Sequence, residues 1–199
     1  MFAGRLALGA ALSFALFAGL AVNNPASAKV SIKTSTKFYK ITGRTARDFA
    51  QSMTKRGPYS RQHRARAWAT AARDLDFQIT HKIVKGNCRV QSARVNLRIT
   101  YTMPKLVSKV SARERGKWKR MYGLLDRHEK VHGKLYRQLA HRADRALLRM
   151  KPAKSCRTLE RNALKLVRKL SDADLRANDR FDARDKSNYR RMSRIYASG

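Results

Sequence analysis

The sequence predicts an α+β fold, a small antiparallel sheet followed by a helical half. Apolar residues alternate with polar ones in two stretches between Lys29 and Tyr101, the period of a half-buried strand. From Ser111 onward they recur every three or four residues, the period of an amphipathic helix. Turn and capping residues sit where one pattern gives way to the other.

Taken in order, the first segment is a leader. Arg5 precedes an uncharged apolar run from Leu6 to Val22, Asn23, Asn24 and Pro25 break it, and Ala26-Ser27-Ala28 has the small-x-small form of a cleavage box. Residues 1–28 are therefore expected to be a signal peptide, with 29–199 a single domain in the periplasm or outside the cell. No cysteine follows the run, so a lipoprotein anchor is not supported. Lys29 to Thr42 alternates as a strand. Thr45 can cap a short helix carrying Phe49, Ala50 and Met53, which Gly57-Pro58 stops. Trp68 lies in a stretch that fits strand or helix. Leu75, Phe77, Ile79, His81 and Ile83 form one face of a strand, Gly86-Asn87 the turn, and Val95, Leu97, Ile99 and Tyr101 the returning strand, which Met103-Pro104 ends. Ser111 with Glu114 reads as a capping box for a long helix reaching Met150, where Pro152 stops it. Ser155 caps a second helix, and Ser171 with Asp174 a third that runs into a polar tail.

The chain has 199 residues and 46 Lys+Arg against 13 Asp+Glu, a net charge of +33. Such a balance points to an anionic partner or to a solvated basic surface. Export disfavours nucleic acid, so an envelope surface (lipid, lipopolysaccharide or cell-wall polymer) is the expected anion. No Gly-x-Ser-x-Gly elbow and no glycine-rich phosphate loop is present. His63 and His81 are isolated and read as surface or strand residues. Cys88 and Cys156 form an even pair, which in an exported protein suggests a disulfide worth about 4 kcal/mol by loop entropy. Two buried thiols are the other reading.

One motif carries chemistry: His128-Glu129-Lys130-Val131-His132, in a chain with five His and three Glu. Histidines four apart share one helix face and can hold one Zn2+, with Glu129 as general base toward a zinc-activated water. Trp118, Met121, Leu125, His128, His132, Leu135 and Leu139 form one 3-4 stripe, so both histidines face the protein body. The third ligand is not fixed by spacing. Gly133 is not followed by the Gly-x-x-His of one metallopeptidase class, and His141 lies on the far side of the helix. Glu160, Asp172, Asp174, Asp179, Asp182 and Asp185 are the candidates.

On Phe38-Tyr39 before Gly43, Gly57-Pro58, Cys88, Tyr101-Thr102-Met103-Pro104, Trp118, the His-Glu-x-x-His motif and Cys156, the chain resembles a bacterial family of unknown function described as predicted secreted zinc-dependent proteases. The resemblance implies a zincin-like peptidase of peptide or protein substrates, with Cys88 and Cys156 bridged. The family tends to end in Tyr-Asp-x-x-Thr-x-His-Gly. In the corresponding stretch, Phe181 to Asn188, Asp182 matches, whereas Ser187 and Asn188 stand in place of His-Gly. Asp182 becomes the expected third ligand. The departure leaves an alternative, a non-catalytic cationic envelope-binding protein on the same scaffold.

Overall fold

The structure, a computed structural model, describes residues 28–60 and 64–198. The predicted leader, up to residue 27, and His63 lie outside the described residues. The fold is α+β. Strand β1 (Ala28–Ile41) leads into helix α1 (Ala46–Arg56), then a two-residue pair, β2 (Tyr59–Ser60) and β3 (Ala65–Arg66). Strands β4 (Thr70–Val84) and β5 (Asn87–Leu106) follow, then helices α2 (Ala112–Leu148), α3 (Cys156–Arg184) and α4 (Lys186–Ala197).

The main sheet has the order β1-β5-β4. It is mixed, not antiparallel as the sequence suggested: β4 and β5 form a hairpin, but β1 runs parallel to β5. The reason is the connection. The chain leaves β1, crosses through α1 and returns along the far edge as β4, so the hairpin partner β5 falls between them and points the same way as β1. Alternation along β5 puts Val95, Leu97 and Ile99 under the helices, where they pack on Ala140, Ala143 and Leu147 of α2 and on Ala163 and Val167 of α3. A second apolar cluster joins Ile41, Phe49, Met53, Met103, Met121 and Met192.

Local chemistry explains the element ends. Thr45 and Asp48 make a complete capping box on α1. Ser111 accepts from the Glu114 amide, but the Glu114 carboxylate turns away to the Ala46 amide (2.8 Å) and to buried Lys117 (3.0 Å). The box on α2 is therefore half made, and its acid instead stabilises the positive end of α1. The hairpin turn is Lys85-Gly86, one residue earlier than expected, both with positive φ as a type I′ turn requires. β5 runs past Met103-Pro104 to Leu106. β4 pairing ends at Thr70 opposite Thr102, so Pro104 lies where only β1 is alongside and a missing N–H is tolerated. Trp68 lies in the bend before β4.

Ser155 caps α3 as expected, its Oγ accepting from the Thr158 amide. No helix starts at Ser171. α3 runs through it, and the Ser171 carbonyl accepts from Arg73, whose Nε also lies 3.1 Å from Asp174 Oδ2. Asp174 is thus a buried ion-pair partner, not a cap. The expected polar tail is α4, whose Met192 is buried with Ile195 and Tyr196 against the second cluster. Cys88 and Cys156, 68 residues apart, are joined by a disulfide that ties the hairpin to the start of α3. Among the described residues no helix is long and apolar enough to cross a membrane.

Candidate metal centre

The middle of α2 faces the last turns of α3. The α2 stripe predicted from spacing does point inward: Met121, Leu125 and Leu139 are buried and His132 is 8% exposed, and Glu129, outside that stripe, is also buried, at 5% exposed. Gly133 lets this part of the helix sit close to β5, because a Cβ there would fall inside the Tyr101 hydroxyl.

Three donor atoms converge. His128 Nε2 and His132 Nε2 are 3.2 Å apart, and Asp182 Oδ1 lies 3.3 Å from the first and 3.1 Å from the second. A tetrahedral ion with bonds of about 2.0 Å needs its ligands about 3.3 Å apart, so the triangle has the size that such an ion demands. Asp182 Oδ1 is buried and has no hydrogen-bond partner, its contacts with the two rings lacking hydrogen-bond geometry.

The outer nitrogens fix which atoms face inward. His128 Nδ1 lies 2.7 Å from Asp185 Oδ2, and His132 Nδ1 lies 2.6 Å from Asn178 Oδ1. Asn178 Nδ2 donates to the Asp174 carbonyl at 2.8 Å, which sets the amide with its oxygen toward His132. A carboxylate and an amide oxygen can only accept, so both imidazoles donate from Nδ1. Both Nε2 lone pairs then face the Asp182 oxygen, an arrangement of three acceptors that only a cation or added protons can satisfy. Phe181 packs against both rings, at 4.9 and 5.1 Å between centroids.

Sequence comparison matches residues 36–188, most of the chain and every residue of this cluster, to one family model. The chain belongs to the bacterial family of unknown function DUF922. No curated protein and no solved structure matches it.

The cluster in this DUF922 chain is strongly coupled. Burial opposes a charge on His128, but Asp182 and Asp185 overcome it and raise the ring to about 9. His132 moves up for the same reason, with Asp182 and Asn178 prevailing over burial. Burial of Asp182 is outweighed by the two rings, which hold its carboxyl well below the usual carboxylate range. Glu129 is pushed up by burial, with the two histidines pulling the other way.

Of the expected residues, His128, His132 and Asp182 come together, and Glu129 lies beside them on the wall of one cleft. Asp185 holds the outer nitrogen of His128, so it orients that ring. Asp174 pairs with Arg73, and Glu160 lies 3.8 Å from His81. Asp172, Asp179 and His141 are exposed. Asn178 was not anticipated. Its signal was present, since Asp174, Asn178, Asp182 and Asp185 continue the inward stripe of Leu159, Ala163, Val167 and Leu170 at intervals of three or four.

The cleft has a volume of about 480 Å³. Trp68, Ala71, Leu125, Tyr189, Met192 and Tyr196 give it an apolar wall beside the histidines and Glu129. Of the two departing residues noted above, Asn188 lines it and its amide donates to the Leu124 carbonyl at 3.4 Å, whereas Ser187 is exposed.

Proposed function

We propose that this chain is an exported, zincin-like zinc metallopeptidase. The observation that carries the reading is the convergence of three acceptor atoms, with His128 and His132 oriented by Asp185 and Asn178, beside a buried carboxylate in an open cleft. His128, His132 and Asp182 would hold the ion. Zinc held there would supply a Lewis acid and bring the pKa of a bound water toward 7. Glu129 takes a proton from the attacking water onto its carboxylate and returns it to the leaving amine. Burial that raises its pKa suits it to hold that proton for the time between the two transfers. The apolar cleft wall gives a peptide's side chains a surface to bury.

The decisive experiment is metal analysis of the purified protein, alongside Glu129→Gln. One zinc per chain is expected, with the variant keeping its zinc and losing peptide hydrolysis by a factor of about 10² or more. Protein without stoichiometric zinc refutes the reading. Ser187 and Asn188, where the family tends to have His-Gly, favour a second reading: a zinc-holding protein that binds peptides without cleaving them. In that case Glu129→Gln changes neither zinc nor peptide binding, and the parent protein cleaves nothing.

A further inference from the structure

The end of the sheet remote from the cleft carries features that the metal centre does not use. The β4–β5 hairpin tip holds Lys82, Lys85 and Arg89, all exposed. The Cys88–Cys156 disulfide, with the paired backbone bonds between Cys88 and Ala153 (2.8 and 2.9 Å), brings exposed Lys151, Lys154 and Arg157 to the same end. No acidic residue occurs in 82–89 or 149–159, and the next residue, Glu160, lies 3.8 Å from His81.

Two details mark this end apart from the generally basic surface. Lys82 and Arg89 are direct cross-strand partners, a like-charge pair that works against the hairpin. Ile83 is 73% exposed, the highest value among the large exposed hydrophobic residues described, although its partner across the ladder, Cys88, is buried. Ordinary surface solvation calls for neither. A partner that is both anionic and apolar at shallow depth accounts for both.

We propose that this hairpin end is a docking surface for an anionic phospholipid bilayer. The six cations meet lipid phosphates, and Ile83 enters the boundary between headgroups and acyl chains. A soluble polyanion would neutralise the charge but offer Ile83 no apolar phase, which is why a bilayer is the occupant chosen here. Ala71, at the cleft, precedes Val84, the last residue of the strand, by 13 positions, or about 43 Å at strand rise. Docking by the tip thus leaves the cleft open and held away from the membrane. The proposal does not depend on the cleft's activity.

The test uses the full chain in flotation with vesicles of phosphatidylcholine alone and of phosphatidylcholine mixed with phosphatidylglycerol. Any apolar binding by the leader is common to every variant and is subtracted on phosphatidylcholine. The expected result is binding that requires phosphatidylglycerol and weakens with salt. The triple variant Lys82→Gln/Lys85→Gln/Arg89→Gln should lose about a hundredfold in affinity, from about 1 kcal/mol per basic residue at an anionic surface. Its melting temperature should be no lower than the parent's, since the Lys82–Arg89 repulsion is gone. An equal change of charge on the outer face of α2, Arg120→Gln/Arg127→Gln/Lys134→Gln, should lose less than about fivefold. Ile83→Ser should weaken vesicle binding several-fold while leaving binding to soluble polyphosphate unchanged. Equal losses in both triple variants, no preference for phosphatidylglycerol, or an Ile83→Ser protein that binds vesicles like the parent would each overturn the proposal.

Discussion

Removing the acceptor behind His128 separates the residue that holds the ion from the residue that aims its ligand. Asp185 Oδ2 lies 2.7 Å from His128 Nδ1, on an imidazole 10% exposed. In Asp185→Ala the N–H is left with no protein acceptor. A hydrogen bond to a charged group contributes about 1.5–3 kcal/mol. Asp185 itself is 20% exposed, so water replaces part of that contribution. The zinc dissociation constant should therefore rise about ten- to thirtyfold, within the range known for outer partners of metal-ligating histidines. Asp185→Asn keeps an accepting oxygen and should cost less. Asp185 makes no side-chain cap on α4, so the variant should remain folded. Asp182→Ala removes one of three donor atoms and should cost at least about tenfold more than Asp185→Ala. The assay is competition against a fluorescent zinc chelator, with Asp172→Ala, an exposed acid on the same helix, as the control. If Asp182→Ala weakens zinc no more than Asp185→Ala, the assignment of ligand and orienting residue is wrong. If neither change moves the constant by more than about twofold, the site is not a zinc site.

Four further outcomes are expected. Gly133→Ala sets a methyl group into the Tyr101 hydroxyl and should lower stability by about 1–3 kcal/mol in denaturant titration. In zinc-free protein His128 is raised from 6.5 to about 9; a raised folded pKa adds stability that is whole below about pH 6.5 and lost as pH rises through about 9. Melting temperature of chelator-treated protein should fall across that window, and His128→Gln should flatten the fall. Arg73→Ala strands the fully buried Asp174 and should cost about 3–5 kcal/mol, part of it recovered by adding Asp174→Asn. Reduction, or Cys88→Ala with Cys156→Ala, should cost about 2–4 kcal/mol, equal by either route and read as the shift in denaturation midpoint.

Local signals were legible wherever one element settles them. Thr45, Gly57-Pro58, Ser111 and Ser155 mark helix ends through contacts within a turn, and each holds in the structure. The His128–His132 face was legible for the same reason, since a stripe on one helix needs no partner to be read. What failed depended on partners. A strand's direction against β1 is set by a crossover, not by its own residues. Ser171 and Asp174 look like a cap until Arg73 of β4 arrives to take both. Reading them as a cap split α3 and hid the continuation of its buried stripe into Asn178 and Asp182. The two outer partners, Asn178 and Asp185, lie 46 and 57 residues from their histidines. No spacing rule spans that distance. The leftover signal was a buried stripe that turns polar at one end of a helix, and that pattern marks a site because buried polar groups need partners.

The distribution of charge bears on the metal independently of the motif. In a chain of 46 cations and 13 carboxylates, scattering the acids among the bases would lower the energy everywhere. Asp126 and Asp74 do this, pairing with Lys130 and Arg98. Glu129, Asp182 and Asp185 do the opposite, gathering around two histidines. Burial already raises the cost of ionising Glu129, and the charge of Asp182 adds to it. Lys117 shows that the fold can bury a lysine against a carboxylate where neutralisation is all that is needed. At the meeting of α2 and α3 it provides none; it supplies two imidazoles whose outer nitrogens are committed and whose inner ones face the Asp182 oxygen. Protons alone could neutralise that cluster only while both rings stay charged 3.2 Å apart. A divalent cation would offset two of the three carboxylate charges and satisfy all three lone pairs at once, which is the role proposed for zinc.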